Sequence, residues 1–392
     1  MLSDSDFRFC LQQIDGFQRT RDKLPTFATI DGWLYPPRLN LEQCSSERTA
    51  RYKTSLLSSF HLSPFTLIDA TGGFGVDTFF MSEAADETHY FEQNAELAAI
   101  AEQNFRLAGK SIHCHAEAFD TEILCNLVGG KTEECREFVE PLSGVLYLDP
   151  ARRDTHGGEV FRLEDCTPNV IDIVRYVQRN CPNMRILLKL SPMLDIRQAV
   201  LRLGGTWDVY ILSISNEVKE LLLLSGGTNT INAVSLDDAG AHSLSFTPAE
   251  EQSADAQFVS AEQPLPGLYI YEPDAAILKA GAFRLPSARF GLLKADRNTH
   301  LYLSPDHPFP SSPSNSLPPG RTWKIIGVYT RAKEVQCALT RANVLARNYV
   351  VPADALRKQL RLKDGGDDYI IGCRMADKPL LLHCRRVPPP TV

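Results

Sequence analysis

The spacing of apolar residues divides the chain into stretches of different expected structure. Residues 1–60 look helical and lead into a short apolar run, Phe65, Leu67 and Ile68, that reads as a strand ending on Asp69. His89-Tyr90-Phe91-Glu92 reads as a second strand that also ends on an acid. Leu97, Ile100, Ala101, Phe105 and Ala108 then recur at helical spacing, which predicts a helix over 95–108. Further apolar runs predict strands at 111–115, 145–148, 186–190, 207–213 and 219–224. Alternation of strand and helix is the pattern of an α/β unit.

Beyond residue 225 the pattern changes. A hairpin is expected at 234–246, followed by a polar, acidic stretch, 248–266, that reads as a linker. A second module starts at Gly267 with a short helix at 275–280, and the Pro- and Ser-crowded 304–320 reads as a long exposed loop. Strands at 323–329, 369–373 and 379–384 and a helix at 352–360 complete the chain, with Asp364-Gly365-Gly366 as a turn. Upstream, Ser45 or Ser46 is placed to cap a helix carrying the Glu47/Arg51 pair. If that helix covers a ligand, Ser46, Thr49 and Lys53 face the ligand as a lid; plain packing is the alternative.

The chemistry concentrates between Asp69 and Asp77. Glycines at 72, 73 and 75 follow the first strand and precede a helix start, an arrangement that lets backbone approach a nucleotide-like ligand. The dinucleotide fingerprint does not fit, because Gly73-Phe-Gly75-Val-Asp-Thr78 lacks the third glycine and Asp77 stands where a phosphate would bind. Asp69-x-Thr71-x-Gly73-x-Gly75 instead resembles motif I of class I S-adenosylmethionine-dependent methyltransferases. That ligand has no phosphate and carries a sulfonium and an ammonium, so nearby acids attract it. Glu92, 17 residues past Gly75, is spaced to hold ribose hydroxyls, with Gln93 beside it. Asp149-Pro150-Ala151-Arg152 follows the fourth strand, where that family's motif IV lies. Glu117 and Asp120, after the third strand, are either adenine contacts or solvated loop acids.

Composition narrows the partners. With 392 residues, 43% hydrophobic and 23% charged, the chain has the make-up of a soluble protein of two or three domains. No run of 18 apolar residues is present, so no membrane span is expected. The start lacks a secretory pattern and the ten cysteines form no Cys-x-x-Cys pair, which suits reduced thiols in the cytoplasm. Of His113-Cys114-His115 only the two histidines share a strand face, and no further ligand cluster accompanies them, so no metal is expected. The net charge of −7 hides an asymmetry: residues 321–392 hold 14 Lys/Arg against 6 Asp/Glu, a net of +8, leaving −15 for the rest. A basic module on an acidic body suits a polyanion, against the alternative of an incidentally charged surface.

Six segments carry a resemblance over nearly the full length: 42–53, 69–78, Tyr147-Leu-Asp-Pro-Ala-Arg-Arg153, Asn216-Glu-Val-Lys-Glu220, Tyr271-Glu-Pro-Asp274 and Leu362-Lys-Asp-Gly-Gly-Asp367. The chain resembles a bacterial group of class I methyltransferases with a THUMP-like C-terminal domain. The resemblance implies an α/β fold with a doubly wound, seven-stranded Rossmann-like sheet. It implies an N-terminal helical segment (1–60), a methyltransferase domain (61–246), a linker (247–266), a ferredoxin-like module (267–320) and a basic THUMP-like domain (321–392). THUMP domains proper occur in tRNA-modifying enzymes, so RNA, a tRNA or rRNA base, is the implied substrate.

The same resemblance assigns roles. Thr71, Gly72, Gly73 and Gly75 would hold the methionine part of S-adenosylmethionine; Asp69 would orient its ammonium or nearby waters; Glu92 would hold the ribose; and Asp77, Gln93 and Glu117 are further expected cofactor contacts. Asp149 and the Pro150 carbonyl would accept hydrogen bonds from a substrate amino group. The chain departs from the common motif at Ala151 and at Arg152, which stands where an aromatic usually stacks on the base. Arginine also stacks and grips phosphate; for Arg152 and Arg153 a salt bridge to Asp154 or Glu159 is the alternative. No cysteine follows strands four to six, which argues against a covalent cysteine mechanism. A noncatalytic RNA-binding protein and a small-molecule or protein methyltransferase are the remaining readings.

Overall fold

The structure is a computed structural model that describes residues 3–60, 64–128, 142–152, 163, 166–263, 265–305 and 320–387. It has two compact units: residues 1–210 with 220–229, and residues 211–219 with 230–392.

The first unit opens with helices α1 (Asp4–Thr20), α2 (Arg38–Gln43) and α3 (Glu47–Ser58). Its α/β part runs β1 (Thr66–Asp69), α4 (Val76–Met81), β2 (Glu87–Phe91), α5 (Ala95–Leu107), β3 (His113–His115), α6 (Thr121–Leu127) and β4 (Gly144–Leu148). A two-residue pair follows, β5 (Ala151–Arg152) with β6 (Cys166–Thr167), and then α7 (Val170–Asn180), β7 (Met184–Leu190), α8 (Ile196–Leu203), β8 (Trp207–Ile214) and β9 (Glu217–Ser225). The sheet order is β3-β2-β1-β4-β7-β9-β8, with β1 parallel to both β2 and β4, and β9 antiparallel to β7. This is a doubly wound order, and it puts the carboxyl ends of β1, β2 and β4 side by side at the switch between β1 and β4. All five residues of β4 are buried, which explains its continuous apolar run.

Local sequence explains the turns. Gly75 has φ +80° and begins α4; a side chain there would strike the ring of Phe105. Asn94 caps α5 by accepting from the Glu96 and Leu97 amides, and Leu97, Ala98, Ala101 and Phe105 face the core. The N-terminal helices are packed rather than loose. Phe27 stacks on Trp33 at 4.1 Å and meets Phe79 edge-on at 4.9 Å, while the Asn104 amide bonds both backbone groups of Leu34.

The second unit contains the hairpin β10 (Ile231–Asp237) and β11 (Gly240–Phe246), then α9 (Pro248–Ser253), β12 (Tyr269–Pro273), α10 (Ala275–Ala280), α11 (Leu285–Phe290), β13 (Leu293–Asp296) and β14 (Thr299–Ser304). It ends with β15 (Gly320–Tyr329), α12 (Ala332–Ala338), β16 (Asn343–Arg347), α13 (Ala353–Leu360), β17 (Asp368–Met375) and β18 (Lys378–Val387). The hairpin extends the first sheet beyond β8, in the order β8-β10-β11, to nine strands, and the strands from β12 on form a separate sheet ordered β13-β14-β12-β15-β18-β17-β16. The stretch expected to be a linker holds α9 instead. Thr247 and Glu250 form a capping box, and the Glu251 carboxylate accepts the amides of Phe283, Arg284 and Leu285. Most of the expected 304–320 loop lies outside the described residues.

Candidate functional site

The turn after β1 is tied down on every side. Asp69 is buried beneath it, accepting from the Thr71 amide at 3.0 Å and from the Thr78 hydroxyl. The Gly72 amide donates to the Phe91 carbonyl at 2.8 Å, and a side chain at Gly72 would overlap the Tyr90 ring. Gly73 has φ +57° and only the Thr71 carbonyl oxygen, 3.9 Å away, near its Cβ position, while its amide donates to Glu92 at 2.9 Å. The second Glu92 oxygen accepts the Asn94 amide at 2.7 Å. The Thr71 hydroxyl accepts the Asp149 amide at 2.6 Å, joining the end of β1 to the end of β4. Asp69, Thr71, Glu92 and Asp149 therefore come together through hydrogen bonds on one loop.

Beneath this loop lies a charged network. Lys53 is fully buried and pairs with Asp77 at 2.8 Å and Glu220 at 2.6 Å, while it donates to the Ser45 hydroxyl at 3.1 Å. The second Asp77 oxygen accepts from Ser45 at 2.7 Å and from the Tyr147 hydroxyl at 2.6 Å. Lys189 of β7 donates to Ser45 at 3.2 Å and pairs with Asp149 at 2.6 Å. Asp77, expected to touch the cofactor, thus spends its carboxylate inside the protein. Lys53 likewise lies inside the packed interior, not on an exposed lid face.

Burial and pairing give these acids opposite characters. Burial pushes the Asp69 carboxyl up to about 7, with Asp77 and Asp149 adding repulsion against the stabilising bonds from Thr78 and Thr71. Burial acts on Asp77 in the same direction, but Lys53 and Lys189 overcome it and hold that carboxyl at about 2. Desolvation raises Asp149 against the pull of Lys189. One Asp149 oxygen is taken by Lys189; the other accepts no hydrogen bond among the described residues, and the side chain is 39% exposed.

The remaining expected residues are more peripheral. Gln93 is exposed, and Glu117 is exposed with His115 3.9 Å away. Asp120 caps α6 by accepting the Glu122 and Ile123 amides. Pro150 is half-buried next to Asp149. Arg152 is placed on β5 by its backbone, and its side chain, like Arg153, Asp154 and Glu159, falls outside the described residues. Among the described residues, no cluster of three His, Cys, Asp or Glu is arranged to hold a metal ion.

Ser45, Tyr147, Lys189 and Glu220 were not singled out by the sequence as site residues. Lys189 and Glu220 do leave a mark there: Lys189 is a lone charge within the apolar run Ile186-Leu-Leu-Lys-Leu190, and Glu220 abuts the run Leu221-Leu-Leu-Leu224. A charge so placed must find a partner inside the fold.

The donor set suits the expected ligand. The loop is half-buried at Thr71, Gly72 and Gly73, acids surround it, and its nearby cations are engaged by Asp77, Glu220 and Asp149. The strand order, the acid-tipped β1 and β2 and the Asp149-Pro150 end of β4 define a class I S-adenosylmethionine-dependent methyltransferase fold. Comparison with known proteins agrees. The crystal structure of a presumed methyltransferase from Porphyromonas gingivalis W83 matches with a TM-score of 0.81 and 29% identity, over 99% of this chain and 92% of that one. An uncharacterised S-adenosylmethionine-dependent methyltransferase of Mycobacterium tuberculosis, known from two strains, is 29% identical over 282 residues, covering 68% of this chain and 71% of the relative. A ferredoxin-like domain model matches residues 269–310, and a THUMP domain-like model matches 320–386. With these likenesses the chain stands as an S-adenosylmethionine-dependent methyltransferase with ferredoxin-like and THUMP-like domains at its C-terminal end.

Proposed function

We propose that the protein methylates an RNA base, at an exocyclic amino group, with Asp149 as the residue facing the acceptor. The observation that carries this reading is the free Asp149 oxygen at the tip of β4, fixed by Lys189 on one side and by Thr71 through its backbone on the other. S-Adenosylmethionine supplies an electrophilic methyl group on its sulfonium. The chain's own task is then alignment and hydrogen bonding. In this reading Thr71 and the glycines through Gly75 hold the methionine part, and Glu92, whose two oxygens already accept the Gly73 and Asn94 amides, uses its remaining lone pairs for the ribose hydroxyls. The Pro150 carbonyl and the free Asp149 oxygen accept from the amino group, directing its lone pair outward, and Asp149 can take up the proton released.

The substrate class rests on the C-terminal domain. Of its basic residues, Arg321 and Arg347 pair with the buried Glu272, and Arg385 pairs with Asp368. Lys333, Arg341, Lys358, Arg361 and Lys363 are exposed and make no ion pair among the described residues. Arg341 and Lys363 are bridged backbone to backbone, and α12 packs on α13, so these cations share one region of the domain. Unpaired cations are what a phosphate backbone neutralises.

The test has two parts. Titration with S-adenosylhomocysteine reads the cofactor pocket by itself. Labelled donor is then incubated with total RNA from a strain lacking the gene and from wild type. Labelling only of the RNA from the deletion strain is the expected result; equal labelling of both would remove support for an RNA substrate.

A further inference from the structure

Helix α1 carries an apolar stripe on its outer side. Phe7, Leu11 and Ile14 follow one another at i, i+4 and i+7, and they are 57%, 50% and 54% exposed. The helix cannot turn this stripe inward. Its opposite side is fixed by Gln12 and Gln13, which both donate to the Tyr35 carbonyl, and by Gly16, where a side chain would overlap Tyr35. Among the described residues, half of the exposed large hydrophobics lie on α1 and α2. Phe9 and Phe17 lie on other sides of α1, Phe17 against Tyr35, so the stripe itself is Phe7, Leu11 and Ile14; exposed apolar residues aligned in this way mark an interaction site.

The charges beside the stripe, of which Asp15 and Arg19 already pair with each other along the helix at 2.7 Å, match a second copy of the same helix. Asp4, Arg8, Asp15 and Arg19 lie along a single flank, in the order acid, base, acid, base. In an antiparallel helix pair, a flank faces the same flank of the other copy in reverse order. Asp4 then meets Arg19 of the second copy, and Arg8 meets Asp15, each contact occurring twice by symmetry. A parallel pair would set this row against Asp6, Cys10 and Phe17, which offer a single charge.

We propose that two copies of this chain associate through an antiparallel α1–α1 contact. With 17 residues the helix is about 25 Å long. Three or four large side chains from each copy cover on the order of 1,000 Å², the small end of specific interfaces. The contact therefore fits a reversible dimer of micromolar affinity, not an obligate one.

Sedimentation of the full chain from roughly 1 to 200 µM tests this. A monomer–dimer equilibrium is expected. Ile14→Glu should abolish it while leaving the thermal midpoint in place, since the residue is exposed. Arg8→Glu should weaken the dimer at least tenfold, and Arg8→Glu with Asp15→Arg should bring it back to within about threefold of wild type. A wild-type chain that stays monomeric throughout, or a dimer indifferent to Ile14→Glu, overturns the proposal. Failure of the double exchange to restore association overturns the antiparallel register. A monomer that binds anionic lipid vesicles through this stripe assigns the surface to a membrane and also overturns it.

Discussion

The protein treats charge in two opposite ways. Under the β1 turn, Lys53, Asp77, Glu220, Lys189 and Asp149 are paired with one another at 2.6–2.8 Å. Around α12 and α13, Lys333, Arg341, Lys358, Arg361 and Lys363 stand exposed without ionic partners among the described residues. Buried charges must be matched or the fold loses stability, so the first set fixes positions. Solvated charges cost little to leave unmatched, so the second set remains available to an incoming polyanion. The same residue types are thus internal struts in one unit and solvent-facing, unpaired charges in the other, where the proposed RNA contact lies.

The largest effect expected from breaking this contrast is at Lys53. Lys53→Met leaves Glu220 buried without its paired cation and Asp77 with only Lys189, 3.9 Å away, and should lower stability by about 3–5 kcal/mol, read from the urea midpoint. A loss below about 1 kcal/mol would mean that the network is not a strut. Next comes Asp149→Ala, which should slow methyl transfer by roughly 10²–10⁴-fold while calorimetry shows nearly unchanged S-adenosylhomocysteine affinity. Full turnover in that variant would remove Asp149 from the acceptor side.

The pair Asp69 and Asp77 sharpens the point within the buried region. Asp69, raised from 3.8 to about 7, keeps its proton in the folded state while the unfolded chain has lost it. The folded state then binds more protons between about pH 4 and 7, so its stability falls as pH rises across that window. Wild type should therefore lose stability relative to Asp69→Asn from pH 4 to pH 7. Asp77, lowered from 3.8 to about 2, contributes stability above pH 3.8 that disappears as pH falls toward 2. A flat difference between wild type and Asp69→Asn would contradict the buried, near-neutral carboxyl.

The smallest effects belong to the exposed set. Lys358→Glu, Arg361→Glu and Lys363→Glu should each weaken RNA binding and reduce the slope of log affinity against log salt by about 1, with no change in thermal midpoint. Unchanged slopes in all three would place the RNA contact elsewhere.

The sequence revealed these two regions unequally. The strand-end acids were legible because glycine spacing and apolar runs are local patterns. Thr71 could be named as a loop residue, but its bond to the Asp149 amide joins positions far apart in the chain and follows only from β1 and β4 being neighbours. The same holds for Lys53 and Glu220. Asp77 looked available because acids near the loop suit a ligand that carries a sulfonium and an ammonium; its real partners come from α3 and β4. Helix α9 was concealed by composition, although Thr247 and Glu250 already formed a capping pattern within the polar stretch. Charge asymmetry was visible from counting alone, since exposed charge needs no folding partner.

The buried Glu272 of β12 has a practical consequence. Its carboxylate is held by Arg321 of β15 and Arg347 of β16, and β12 pairs along its length with β15. Cutting the chain near residue 320 would strand an acid in the interior and expose a bare strand edge to aggregation. The ferredoxin-like and THUMP-like parts behave as one piece of material, and truncation cannot serve as a clean amputation of either.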